Sequence, residues 1–331
     1  VTAPAPRENP HLVGHDAAER AILDALAGSR LHHAWLITGA EGVGKATLAY
    51  RFARRLLAGG AGTLDMDPNH PTFRRVAAAT HADLLTVERE WDEKKKRMKK
   101  NIAAETVREI PGFLHLTPAE GGWRAVIVDG AEDMNAHSAN ALLKVLEEPP
   151  PRAVLMLISA SPGRLLPTIR SRCRHLPLTP LSNPDLARAI ALYLPTLLPE
   201  ERDALMNLSE GAPGRAIALA EQGGLAIAGL VGEIVAALPE VSLLRGYEIA
   251  DGLKEEAAFD LFFSLLRGAI ANAVTAHLRG AADALQSRML GVRGPAEWAA
   301  LWSKLGDLQR ETAQHNLERR QAVVTGLALL R

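Results

Sequence analysis

The chain has 331 residues, 47% hydrophobic and 23% charged, and its Lys plus Arg total equals its Asp plus Glu total. That length favours about two or three domains with packed cores over disorder, and zero net charge excludes a global basic field that would recruit nucleic acid by itself. A single cysteine, Cys173, allows no internal disulfide and no Cys-based zinc site. No apolar run approaches the roughly 18–20 residues that would span a bilayer, so a cytoplasmic protein with no membrane partner is expected.

The opening VTAPAPRENP has no hydrophobic signal core and reads as a loose polar arm. From about Asp16 the pattern predicts a helix, with Ala21, Leu23 and Leu26 roughly on one side. AWLIT (34–38) is a short apolar strand ending in glycines. Leu48, Phe52 and Leu56 then recur every four residues, which predicts a helix with one apolar face, ended by AGGAG. Leu84 to Val87 is a second strand. The charged run EREWDEKKKRMKK predicts a solvated hairpin or loop, or a small basic contact to DNA or a partner. RAVIVD (124–129) and AVLMLIS (153–159) read as buried strands flanking a helix, SANALLKVLEE (138–148), with Ser138 as N-cap and prolines as the stop. HLPL (175–178) suggests a short last strand. Strands alternating with helices predict an α/β fold, a mostly parallel sheet with helices on both faces. After about residue 180 Ala- and Leu-rich helical patterns take over, and Trp298, Trp302 and Leu305 share one helical face expected to be core. The expected domains are 1–179 (α/β), 180–240 (a small helical lid) and 241–331 (all helical).

Residues 39–47 read GAEGVGKAT, nearly the phosphate loop G-x-x-x-x-G-K-[ST]. Gly39, Gly42 and Gly44 would let backbone N–H groups close on phosphate oxygens, and Lys45 would reach the outer phosphates. Ala46 stands where a Ser or Thr hydroxyl would hold Mg²⁺. Thr47 is a poor substitute, because one helical step rotates a side chain by about 100°. Asp129, ending the RAVIVD strand, fits the acid that holds Mg²⁺ in P-loop NTPases. The following position, where related ATPases place a water-activating Glu, is Gly130. Glu132 and Asp133 lie beyond the strand.

LLPTIRSRC, with HHAWLITGAEGVGKATLAYRFAR, VIVDGAEDMNAHSANALLKVLEEPP and GAPGRAIAL, resembles the clamp-loader subunits of the bacterial DNA polymerase III holoenzyme, an AAA+ family. The resemblance covers roughly residues 10–220 by motif. It implies an AAA+ RecA-like P-loop domain, a helical lid and a C-terminal oligomerisation collar. It also implies work beside gamma or tau and delta subunits, a sliding clamp and primed DNA. The missing hydroxyl and carboxylate place the chain with the family's non-hydrolysing, delta-prime-type members, leaving open whether ATP or ADP is bound without turnover. Arg172 matches the arginine finger, which acts in trans on a neighbour's γ-phosphate. Ser159 matches the first sensor position and Arg215, in GAPGRA, resembles the second. Many members carry a four-cysteine zinc module after the first helix. Here His70 and His81 alone cannot make one, and zinc is not expected. The alternatives are a self-sufficient AAA+ motor, which Ala46 and Gly130 oppose, and a nucleotide-independent DNA adaptor, which the neutral charge opposes.

Overall fold

A computed structural model describes residues 3–28, 31–92 and 97–331. The tip of the charged run, Glu93 to Lys96, lies outside them. Two compact units divide the chain, Val1–Ile217 and Ala218–Arg331.

The first unit is built on a parallel sheet. Its elements in order are α1 (Asp16–Ala27), β1 (Ala34–Thr38), α2 (Lys45–Leu57), α3 (Pro71–Ala77), β2 (Leu84–Val87), β3 (Trp91–Asp92), β4 (Arg97–Met98), α4 (Ala104–His115), β5 (Arg124–Asp129), α5 (Ala136–Glu147), β6 (Ala153–Ser159), α6 (Pro167–Arg170), β7 (Arg174–Pro177), α7 (Asn183–Tyr193) and α8 (Pro199–Leu208). α9 (Pro213–Glu221) begins in the first unit and ends in the second. The strand order is β2-β5-β6-β1-β7, every pair parallel. β1 and β6 are buried along their whole length, so their alternate side chains feed two cores. Trp35, Ile37, Met156 and Ile158 face α1 and α2 with Leu48, Phe52 and Leu56. Leu36, Leu155 and Leu157 face α4 and α5 with Ile110, Leu142 and Val145. Each such side chain, fully buried, is worth about 1.5–3 kcal/mol. The expected α/β architecture is therefore present, and β1, β2, β5 and β6 run where their apolar runs placed them.

Two local expectations are corrected. α5 starts at Ala136, and its N-cap is Asn135, whose Oδ1 accepts from the Ser138 N–H at 2.8 Å and the Ser138 hydroxyl at 3.0 Å. Residues 1 and 2 of the N-terminal arm lie outside the described residues, but from Arg7 to Pro10 it is not loose: Arg54, buried on α2, donates to the carbonyls of Arg7 (3.1 Å) and Asn9 (2.7 Å), and Arg51 donates to Pro10 O. In the charged run the expected hairpin pairing is present: β3 and β4 are antiparallel, with Trp91 opposite Met98. α3 and α4 carry no strong sequence signal; His70 caps α3, accepting from Thr72 N–H.

The second unit is helical: α10 (Gly224–Ala237), α11 (Leu243–Gly252), α12 (Glu256–Leu278), α13 (Ala284–Val292), α14 (Pro295–His315) and α15 (Arg319–Leu330). α12 packs on α10, α13 and α14, and α11 packs on α15. The core includes Phe259, Phe262, Phe263, Trp298 and Leu305. Trp302 departs from the expected stripe: it is 40% exposed, with the Arg267 guanidinium 4.0 Å from its ring centre. With a mean hydropathy of 1.4 over its most apolar stretch, α12 is long and apolar enough to cross a membrane by length and composition, contrary to the sequence reading. Its Phe259, Phe262, Phe263, Leu266 and Ile270 are instead buried within this unit, as in a core helix.

Candidate functional site

Parallel strands deliver their carboxyl ends to one edge, where crossover loops leave a crevice. Thr38 and Ser159 are paired in register there, and Asp129 lies beside Ile158. The loop from β1 to α2 turns on three glycines with φ of +150° (Gly39), +76° (Gly42) and +113° (Gly44), a backbone that side-chain-bearing residues rarely adopt. A cavity of about 540 Å³ opens over it. Its walls include the loop, Asp129, Glu88, Tyr193, Gly214 and the arm from Ala3 to Pro6.

Local chemistry shapes the loop as a cradle. Gly44 caps α2 without a side chain. Among the described residues, the N–H groups of Gly42, Gly44, Lys45, Ala46 and Thr47 have no protein acceptor. These donors at a helix N-terminus suit phosphate oxygens. Lys45 is buried and donates to Gly39 O (2.9 Å) and Ala40 O (2.7 Å). Burial lowers its pKa, while Asp129, Glu132 and Glu41 pull it back up. Burial raises the Asp129 pKa, and Glu88 adds to this, against the opposing pull of Lys45. Thr47 is buried on α2. Loop shape and donor set therefore fit a phosphate group.

The loop is held from two sides. His15 Nε2 donates to Val43 O at 2.8 Å. On the opposite rim, Gly214 N–H donates to Gly42 O at 2.8 Å. A Cβ on Gly214 would lie 2.8 Å from Gly42 Cα, and one on Gly42 would lie 2.7 Å from Arg215 N. Neither glycine can be replaced without moving backbone.

The other expected site residues divide. Ser159 is fully buried beside Asp129's strand end, and its hydroxyl accepts from Ser161 N–H at 3.1 Å. Glu132 Oε1 accepts from Ala160 N–H (2.8 Å) and Ser161 N–H (3.1 Å), while its Oε2 is buried with no hydrogen-bond partner among the described residues. Arg215 pairs with Glu210 at 3.2 Å, and it is Pro213, Gly214 and Ile217 that line the cavity from this segment. Arg172 does not line the cavity. It sits in the turn after α6, half-buried, donating to Thr168 O (2.9 Å) and to Glu147 Oε1 (2.7 Å). Burial pushes the neighbouring Cys173 thiol up to about 12. His81 Nδ1 accepts from Asp83 N–H, and no cluster of three or more His, Cys, Asp or Glu among the described residues could hold a metal. Sequence reasoning missed the arm, Glu88, Tyr193 and Gly214. The one local signal was Arg51 and Arg54 on the apolar side of α2.

This sheet order, with a strand–glycine loop–helix unit and Asp129 and Ser159 at neighbouring strand ends, defines a P-loop domain of the AAA+ class. Residues 14–182 match the family model described as DNA polymerase III, delta subunit, and the chain belongs to that family. It is 39% identical over 210 residues to DNA polymerase III subunit delta' of Pseudomonas aeruginosa, covering 62% of this chain and 61% of that one. Against subunit delta' of Escherichia coli the identity is 34%, covering 61% and 58%. Against subunit tau/gamma of Haemophilus influenzae it is 29%, covering 63% of this chain and 29% of that one. The chain thus spans about six tenths of the length of these delta' relatives.

Proposed function

We propose that this chain is a non-hydrolysing, delta-prime-type subunit of a cytoplasmic DNA polymerase III clamp loader. It supports ATP-dependent loading of a sliding clamp on primed DNA, beside gamma or tau and delta subunits. Residues 1–179 serve as the AAA+ core, 180–240 as the lid and 241–331 as the collar. The observation that carries this reading is the state of the hydrolytic apparatus. The cradle keeps its glycines and Lys45, but position 46 has no hydroxyl and position 130 has no carboxylate. A site so equipped can grip phosphate but cannot activate water.

In this reading Arg172 acts on a neighbour. Outside its own cavity, half-exposed and oriented by Thr168 O and Glu147, it presents a planar fork suited to a γ-phosphate. In a loader reconstituted with its motor subunits, Arg172→Ala should lower ATP turnover at least tenfold, while size-exclusion chromatography shows intact assembly. Unchanged turnover would remove Arg172 from the mechanism. The self-sufficient motor reading is tested on the isolated chain, where Mg²⁺-dependent ATP hydrolysis abolished by Lys45→Ala would establish it.

A further inference from the structure

The charges around the cradle are unbalanced. The N–H groups of Gly42, Gly44, Lys45, Ala46 and Thr47 and the Lys45 ammonium form one compact anion site at the start of α2. Beyond it, the cavity wall offers no second free cation among the described residues. Arg89 lines the wall, but its guanidinium is 3.3 Å from the Asp133 carboxylate. Arg215 is turned to Glu210. The segment carrying Arg215 lines the cavity with Pro213, Gly214 and Ile217, none of which carries charge. Three carboxylates share the wall instead: Glu41, Glu88 and Asp129. Ala46 supplies no hydroxyl for a magnesium ion that would offset them.

A terminal phosphate placed beyond the compact site would therefore gain little and would face like charge, which is costly at short range in a partly desolvated pocket. A ligand ending one phosphate earlier keeps the loop amides and Lys45 and avoids that repulsion. We propose that the cradle is selective for a nucleoside diphosphate, bound without Mg²⁺, over the triphosphate, and holds it as a resident ligand. This rests on the reading of residues 39–47 as a nucleotide cradle and adds the ligand's phosphate count. Glu88, on the wall at the end of β2, is a specificity determinant: its charge works against the longer ligand.

The test is isothermal titration calorimetry on the full chain, stripped of nucleotide, with ADP and ATP, each with and without Mg²⁺. ADP should bind at least tenfold tighter than ATP, and omitting Mg²⁺ should not weaken it. Glu88→Gln should narrow the gap between the two ligands by strengthening ATP more than ADP. Equal or tighter ATP binding, or ADP binding that requires Mg²⁺, overturns the selectivity and leaves the cradle standing. Binding of neither ligand, with Lys45→Ala and parent chain indistinguishable, overturns the cradle as well.

Discussion

Asp129 shows what the site costs the fold. Its carboxyl sits at a buried strand end beside Glu88, and the folded chain holds its proton more tightly than an ordinary carboxylate does. Ionising it therefore works against folding. The penalty is absent below the ordinary carboxylate range, near about 4, and is fully present once pH exceeds the raised folded value. Asp129→Asn should melt at a higher temperature than the parent at pH 7. The difference should shrink as pH falls through the carboxylate range, as differential scanning calorimetry would show. A pH-independent difference would mean that shape, not charge, sets the effect. The same scale shows where Arg215, expected at the second sensor position, is placed. GAPGRA gives the right neighbourhood, but a helix start sends adjacent residues in different directions. Here the glycine faces the loop and the arginine faces Glu210.

At the scale of elements, the arm and α2 behave as one piece. Arg54 is fully buried, has no acid partner among the described residues, and its pKa is lowered to about 10, chiefly by burial. It meets backbone carbonyls of Arg7 and Asn9 and the ring of Phe73, 4.3 Å away. Hydrogen bonds from a charged donor are worth about 1.5–3 kcal/mol. Arg54→Met should therefore speed amide hydrogen exchange in residues 5–9 at least tenfold, while the sheet amides of β1 and β6 keep their protection. The sequence could not show this. Nothing in PAPRENP has periodicity, and its partners lie some 45 residues away, on α2. By contrast, AWLIT, RAVIVD and AVLMLIS were legible because central parallel strands are buried on both faces and so read as unbroken apolar runs. The loop glycines were legible too, since their positive φ values leave few other residues acceptable.

At the scale of the whole molecule, two units carry separate cores. Residues 218–331 bury Phe259, Phe262, Phe263, Trp298, Leu301, Leu305, Val323 and Leu327 among their own helices. That fragment, expressed alone, should give a helical circular dichroism spectrum and a single cooperative urea transition. A spectrum of disordered chain would show that its core depends on the rest of the protein. Trp302 was misjudged from sequence because its spacing matches the stripe. Its neighbour Gly306 leaves room for Arg267, which stacks on the indole while the ring stays half open to solvent.

During synthesis the loop at 39–44 leaves the ribosome long before its rim does. Gly214, whose N–H fixes Gly42, follows about 170 residues later, roughly ten to thirty seconds at typical elongation rates. Until then the nascent chain has the glycine turn but not the backbone clasp that completes the pocket. A ligand specific for the clasped pocket would then bind only a finished first unit, and mass action would stabilise completed molecules and not their precursors. Occupancy of this pocket would in that way mark a subunit as fully made.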